Sequence, residues 1–265
     1  MRIVPIVLFL TSALSGAVQL SERTHSAYES YLSQLEAQMD KPVAGSVAEA
    51  RQRALQGEIV AMPFAYHTSG RGASVTVPDG LINHWVGIMF IPNTNVDKIQ
   101  AVLQDYSQYN KLYAPEVTQS SILKSSGDEF DVFLRLHRQV KVKALLGYAF
   151  PVEFNTNYHV RYYKTGDTLQ VRSFSSKIAE VKDPRKSHTE EYEVGNDDGY
   201  LWRLRSYWRV TPANGGAFVE CEAISLSRSV PGFVEKMVTY FTSNFPEDSM
   251  RNTLKSTKDA VVARQ

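Results

Sequence analysis

Hydrophobic positions along this chain change period, and the order of the periods predicts the elements of the fold. Residues 84–91 are rich in β-branched and aromatic side chains, and Pro92 ends the run, which predicts a strand. Apolar residues between Val96 and Tyr106 then recur at helical spacing, behind residues that can cap a helix. A strand that is followed at once by a helix therefore opens the main part of the chain.

Beyond Pro115 the period changes to about two, which is typical of strands with one buried side. Segments 154–163 and 168–178 have this pattern, and Gly166 with Asp167 predicts a tight turn between them. An earlier strand has apolar side chains on one face: Phe130, Val132, Leu134 and Leu136. A long run of strands thus separates the early helix from the end of the chain.

Two late segments, 200–210 and 218–228, are predicted to pair as a hairpin. Residues 212–215 suit a four-residue type I connection, which sets Val210 opposite Ala217. A slip of one residue would bury a glutamate among tryptophans, which the cost of an unpaired buried charge disfavours. The turn and the charge together therefore predict the register.

One face of this hairpin is charged and the other is mainly apolar. In the predicted register Arg205 lies opposite Glu222 and Tyr207 lies opposite Glu220. The same face also carries Arg203 and Arg209. Large residues of one strand share the second face with small residues of the other: Trp202, Leu204, Ser206 and Trp208 with Val219, Cys221, Ala223 and Ser225. A sheet face with large side chains on one strand and small side chains on the next leaves space for a ligand.

Helical patterns occupy both ends of the chain. Two amphipathic helices are predicted near the N-terminus, with apolar positions from Tyr28 to Met39 in the first and a span of 46–56 in the second. A C-terminal helix is predicted to begin after Gly232 and to break near Pro246. Three of its apolar residues are expected to line the space beneath the sheet: Val234, Met237 and Phe241.

The first residues indicate export. Arg2 precedes an apolar run at 3–14 and small residues up to Ala17, which is the layout of a secretory signal peptide cleaved near Ala17. The run is shorter than the roughly 20 apolar residues that span a bilayer. We therefore expect a periplasmic or secreted protein. The predicted divisions are a signal peptide at 1–17, a helical extension at 18–57, a linker with a short strand at 58–80, and a ligand-binding domain at 81–265.

Composition is that of an ordinary globular protein, with 43% hydrophobic and 22% charged residues. The formal net charge of +1 is too small to attract nucleic acid by long-range electrostatics. Cys221 is the only cysteine, so the chain has no intramolecular disulfide. Because glutamates flank it and alternation buries it, we expect an inert thiol.

Candidate chemistry is sparse. None of the six histidines lies at the spacing of a local metal site, so neither a metal ion nor a cofactor is predicted. Arg203, Arg205 and Arg209 either form an ion-pair ladder or hold a carboxylate or phosphate head group at a cavity mouth. If the protein is an enzyme, the acid or base would come from His137, Tyr148 or Glu153.

Several stretches together resemble the START/SRPBCC helix-grip superfamily, which includes lipid-transfer domains, pollen-allergen-type carriers and polyketide cyclase/dehydrase-like proteins. These stretches are HWVGIMFIP with the helix NVDKIQAVLQDYSQY, KLYAPEV, the hairpin GYLWRLRSYWRV with VECEAISLSRSVPG, and the terminal helix. The resemblance covers roughly 81–262. It implies an α+β fold, in which an antiparallel sheet of about seven strands wraps around a long C-terminal helix and encloses a hydrophobic cavity.

The resemblance also implies a hydrophobic ligand, such as a lipid, sterol, quinone or polyketide-like molecule. The principal prediction is an exported carrier or sensor that holds it between the sheet and the C-terminal helix, and a transient membrane contact is left open. One alternative is a cyclase, dehydratase or hydrolase that uses polar residues in the same cavity. Another is a structural domain that binds a protein partner through the N-terminal helices, which have no counterpart in a minimal domain of this type.

Overall fold

An antiparallel sheet with helices on both faces forms the described structure. The computed structural model describes residues 18–37, 45–64, 74–142, 148–185, 190–229 and 245–264. The first elements are β1 (Val18–Gln19), α1 (Glu22–Glu36), α2 (Gly45–Leu55), β2 (Val60–Pro63), β3 (Ser74–Val77), β4 (Gly80–Pro92), α3 (Val96–Leu103), a 3₁₀ turn (Tyr106–Gln108) and α4 (Tyr109–Leu112). They are followed by β5 (Val117–Ser126), β6 (Glu129–Val142), β7 (Tyr148–Thr165), β8 (Thr168–Glu180), β9 (Asn196–Asp197), β10 (Arg203–Ala213), β11 (Gly216–Arg228) and α5 (Phe245–Val262).

Within the described ranges the main sheet has nine strands, in the order β2-β4-β11-β10-β8-β7-β6-β5, with β3 also paired to β4. Seven of them are long, and the two short strands β2 and β3 lie end to end along β4. The predicted α+β class, with a large antiparallel sheet and a C-terminal helix, is confirmed. The described sheet has two strands more than the predicted number of about seven, and these are the short strands β2 and β3.

The late hairpin has a tighter turn than the one predicted. Strands β10 and β11 meet at a two-residue turn, Asn214 and Gly215, and Gly215 adopts a φ of 80°, which glycine tolerates best. Val210 therefore lies opposite Val219, so the register differs from the prediction by two residues. Because side chains alternate with a period of two, this shift leaves the residues within β10 and β11 on their predicted faces.

Helices α1 and α2 cover one face of the sheet, which we call the outer face. Tyr28, Leu32 and Leu35 of α1 are buried against sheet residues such as Ile82 and Ile224. Helix α2 packs against Val86 and Ile88 of β4 through three residues: Val47, Ala50 and Ala54. The N-terminal helices therefore form a layer of the fold itself.

Helix α5 lies on the opposite face, which we call the cavity face. It approaches closely at Gly87 of β4, where an added Cβ would lie 2.5 Å from Leu254 Cδ1 and 2.6 Å from Met250 Cγ. Glycine at this position lets the helix reach the sheet. Pro246 occupies the first turn of α5, where proline is tolerated.

Candidate functional site

A cavity of about 330 Å³ lies against the cavity face, between the sheet and α5. The short helices after α3 contribute aromatic residues to its wall, and β6, β7, β10 and β11 supply most of the rest. This volume lies at the lower end of the range for small-molecule sites, about 300 to 1,000 Å³. The structure thus contains a space of the size that a small hydrophobic ligand needs.

The hairpin supplies much of this wall. Six of the residues expected there line the cavity: Leu204, Ser206, Trp208, Cys221, Ala223 and Ser225. Val219 shares their face but lies within the hydrophobic core. Val234, Met237 and Phe241 lie outside the described residues.

Trp202 departs from the expectation. It packs in the cluster under α1, with Tyr28 and Leu32, and its Nε1 donates a hydrogen bond to Asp197 Oδ1 at 2.9 Å. Trp202 lies just before β10, where the alternation of the strand does not hold. Leu201 lines the cavity instead.

The hairpin arginines lie away from the cavity. Arg205 contacts Glu36 of α1 at 3.1 Å, and Arg209 lies 3.6 Å from Glu220. Arg203 donates to the backbone oxygen of Trp202. Strand alternation directs all three toward the outer face, because the even-numbered neighbours face the cavity. The ion-pair interpretation fits Arg205, which pairs with glutamates of α1, and Arg209, which pairs with Glu220. Head-group binding in the cavity does not fit the positions of the three arginines.

Two of the candidate acid–base residues meet outside the cavity. His137 Nδ1 lies 3.1 Å from Glu153 Oε1, and Arg135 Nε donates to Glu153 Oε2 at 2.7 Å. Their strand neighbours Leu136 and Phe154 line the cavity, so alternation points this cluster to the outer face. The side chain of Tyr148 lies outside the described ones.

Cavity tyrosines were missed by the sequence interpretation, and four of them have hydroxyls engaged within the protein. Tyr106 and Tyr162 share a 2.6 Å hydrogen bond, and Tyr162 donates to the backbone oxygen of Leu103. Tyr109 donates to that same oxygen at 2.5 Å. Tyr113 bonds Thr257 of α5 at 3.0 Å, and burial raises the pKa of Tyr113 to about 12. These rings therefore present apolar faces to the cavity while their hydroxyls are occupied.

A polar end of the cavity is formed by Arg138, Glu116 and Asn252. Arg138 Nη1 donates to the backbone oxygen of Glu116 at 3.0 Å, and the side chain of Glu116 accepts from Asn252 of α5 at 2.8 Å. Burial lowers the pKa of Arg138, which the charge of Glu116 opposes. Arg138 was missed, although it continues the apolar alternation of β6 through Leu136. The signal available in the sequence was an arginine at a position of β6 that alternation assigns to the apolar face.

Comparisons with known proteins found similar solved structures only. A scan against family models found no match, and a search of curated proteins found none. Similar solved structures include a STAR-related lipid transfer protein fragment from Xanthomonas axonopodis, with 18% identity, a TM-score of 0.46, and coverage of 73% of this chain and 100% of that one. Human STARD10 has 11% identity, a TM-score of 0.43, and coverage of 83% and 80%. The Zhui aromatase/cyclase from Streptomyces sp. R1128 has 12% identity, a TM-score of 0.41, and coverage of 69% and 93%.

At these identities and TM-scores, the function of this chain is argued from its own cavity.

Proposed function

We propose that this protein is an exported carrier or sensor that holds a hydrophobic ligand between the sheet and α5. The observation that carries the proposal is the cavity of about 330 Å³, whose wall combines aliphatic side chains with tyrosines that already have hydrogen-bond partners. Burial of apolar ligand surface would supply the affinity, at roughly 25 cal/mol per Å². Lipids, sterols, quinones and polyketide-like molecules are the candidate ligands.

Arg138 gives the proposed ligand an orientation. Its guanidinium lies in the cavity wall beside Glu116, whereas the hairpin arginines bind the outer layer. A carboxylate or phosphate of the ligand would face this end, because guanidinium groups bind such oxygens in bidentate geometry. The apolar body would then extend toward Trp208 and Cys221.

Export is proposed from the sequence at 1–17 and from its small residues before position 18. Among the described helices, none combines the length and apolar character needed to cross a membrane. A carrier in the periplasm or outside the cell would accept its ligand there. N-terminal sequencing of the protein recovered from outside the cytoplasm tests this, and an uncleaved cytoplasmic product would contradict export.

Ligand capture tests the binding proposal directly. The full chain is stripped of bound lipid, incubated with a total lipid extract, repurified and extracted for mass spectrometry. The matched control is Ala223→Leu, which places a larger side chain in the cavity wall. We expect a stoichiometric ligand from the wild type and much less from the variant. If both folded proteins yield the same trace amount of ligand, the result would contradict a carrier function.

A further inference from the structure

The cavity face of four central strands carries polar groups that are separate from the Arg138 end. We call these residues the polar strip: Asn83, Trp85, Ser173, Ser206 and Ser225. Asn83 lies opposite Ser225, and Trp85 lies opposite Ala223. Ala223 is paired in turn with Ser206, and Ser206 with Ser173. The strip therefore crosses β4, β11, β10 and β8 in two adjacent rows of side chains.

Two members of the strip have donors without a partner. The side chain of Trp85 is buried, with 4% of the residue exposed, and its Nε1 has no hydrogen-bond partner among the described residues. Asn83 is 7% exposed and accepts from Ser74 Oγ through Oδ1, which leaves its Nδ2 group with no hydrogen bond to a described residue. A buried donor in the state of Trp85 Nε1 is uncommon, because leaving it unpaired is costly.

The tyrosine wall contrasts with this strip. The hydroxyls of Tyr106, Tyr109, Tyr113 and Tyr162 are bonded to protein atoms. The hydroxyls of these four tyrosines are therefore occupied, whereas the indole N–H of Trp85 has no partner among the described residues. Indole and amide N–H groups only donate, so the group that satisfies them must be an acceptor.

From this arrangement we infer that the polar strip is a subsite for a carbonyl or other acceptor oxygen in the middle of the ligand. The inference rests on the proposed function and specifies its ligand class as an oxygenated apolar molecule, in contrast to a pure hydrocarbon chain with one polar end. The ligand lies against β4, β11 and β10, with its oxygen toward Trp85. Serine hydroxyls along the same rows allow a second oxygen to be accommodated.

A pair of shape-matched ligands tests the subsite. Fluorene and 9-fluorenone differ by one carbonyl, and the affinity of each is measured by displacement of N-phenyl-1-naphthylamine from the full chain. We expect the wild type to bind 9-fluorenone about tenfold more tightly than fluorene. Trp85→Phe should reduce this preference to about threefold or less, since it removes the donor and keeps an aromatic ring.

Two further variants complete the design. Ser206→Ala should lower the preference by a smaller factor, and it keeps the test decisive if Trp85→Phe does not fold. Trp202→Phe is the matched control, because its indole lies under α1, and it should retain the wild-type preference. A direct readout is the ¹⁵N-labelled indole N–H signal of Trp85, which should shift with 9-fluorenone and not with fluorene.

Failure of the subsite and failure of the proposed function give different results. If N-phenyl-1-naphthylamine binds but the two ligands compete equally, or if neither competes, the subsite is overturned while the carrier proposal stands. An unchanged preference in both Trp85→Phe and Ser206→Ala also overturns it. If neither the probe nor the ligands bind the folded chain, the proposed function and the subsite fall together.

Discussion

Trp208 of β10 lies directly opposite Cys221 of β11, and both side chains line the cavity. A large ring therefore faces a small side chain across one strand pair. The next pair on this face, Ser206 and Ala223, is small on both strands. Because the side chains of Ser206 and Ala223 are small, they leave unfilled space on the cavity face beside the Trp208 ring, which explains why the cavity forms here.

The Cys221 thiol is expected to be unreactive in the folded protein. Burial raises its pKa, and the charge of Glu222 acts in the same direction. Because the thiolate is the reactive form, a thiol reagent such as DTNB at pH 8 should react at least about 100-fold more slowly with native than with denatured protein. Denatured protein is the control and should release one thiol per chain. Fast reaction of the native chain would show that Cys221 is accessible.

Helix α1 should stabilise the fold without contributing to ligand affinity. Tyr28 Oη donates to the backbone oxygen of Ile224 at 2.9 Å on the outer face. Tyr28→Phe should lower the free energy of unfolding by about 1 kcal/mol, and Leu32→Ala by about 2 to 5 kcal/mol. Urea unfolding measures both, with the exposed Ser33→Ala as the control. Probe affinity should stay unchanged in all three, and an unaltered unfolding free energy in Leu32→Ala would contradict this packing.

Arg138 should distinguish ligands by their head group. Arg138→Leu should weaken binding of decanoate by about tenfold or more, while binding of 1-decanol changes little. Arg205→Leu is the matched control, since Arg205 contacts Glu36 on the outer face. Isothermal titration calorimetry measures the affinity of each ligand for the wild type and for the two variants, which is six affinities. A loss of decanoate binding in Arg205→Leu and not in Arg138→Leu would contradict the assigned polar end.

Stability should fall as the pH rises from about 5 to 9. Burial and the charges of Asp198 and Asp197 raise the pKa of Glu180 to about 9, from an ordinary value of 4.5. Between these values the folded chain holds a proton that the unfolded chain has released, so alkaline conditions favour unfolding. Glu180→Gln should flatten this dependence in urea unfolding, whereas the exposed Glu193→Gln should not. The same slope in wild type and Glu180→Gln would refute the assignment.

The faces of the strands could be predicted from the sequence because alternation survives a shift of two residues. Leu204, Ser206 and Trp208 reach the cavity although the turn was predicted two residues too long. The pairing partners could not be obtained, because a four-residue and a two-residue turn are both compatible with the peptide around Asn214. Trp202 could not be placed either, since the position where β10 begins decides its direction.

The rest of the site depends on long-range packing. Periodicity identified α1 as amphipathic, but its contact with Arg205 depends on which sheet face the helix covers. The strand containing Asn83 begins at Gly80, four residues before the predicted start at His84, so the start of the polar strip was not recognised. Arg138 was overlooked because arginine is ordinarily expected on a solvent face.

The central claim is that the cavity binds one hydrophobic ligand per chain. Fluorescence titration with N-phenyl-1-naphthylamine tests it on the wild type, on Ala223→Leu in the cavity wall, and on Ala101→Leu at an exposed position of α3. We predict saturable binding at one site per chain in the wild type and in Ala101→Leu, with affinity at least about tenfold weaker in folded Ala223→Leu. Absence of saturable binding in the wild type, or equal affinity in all three proteins, would contradict the account.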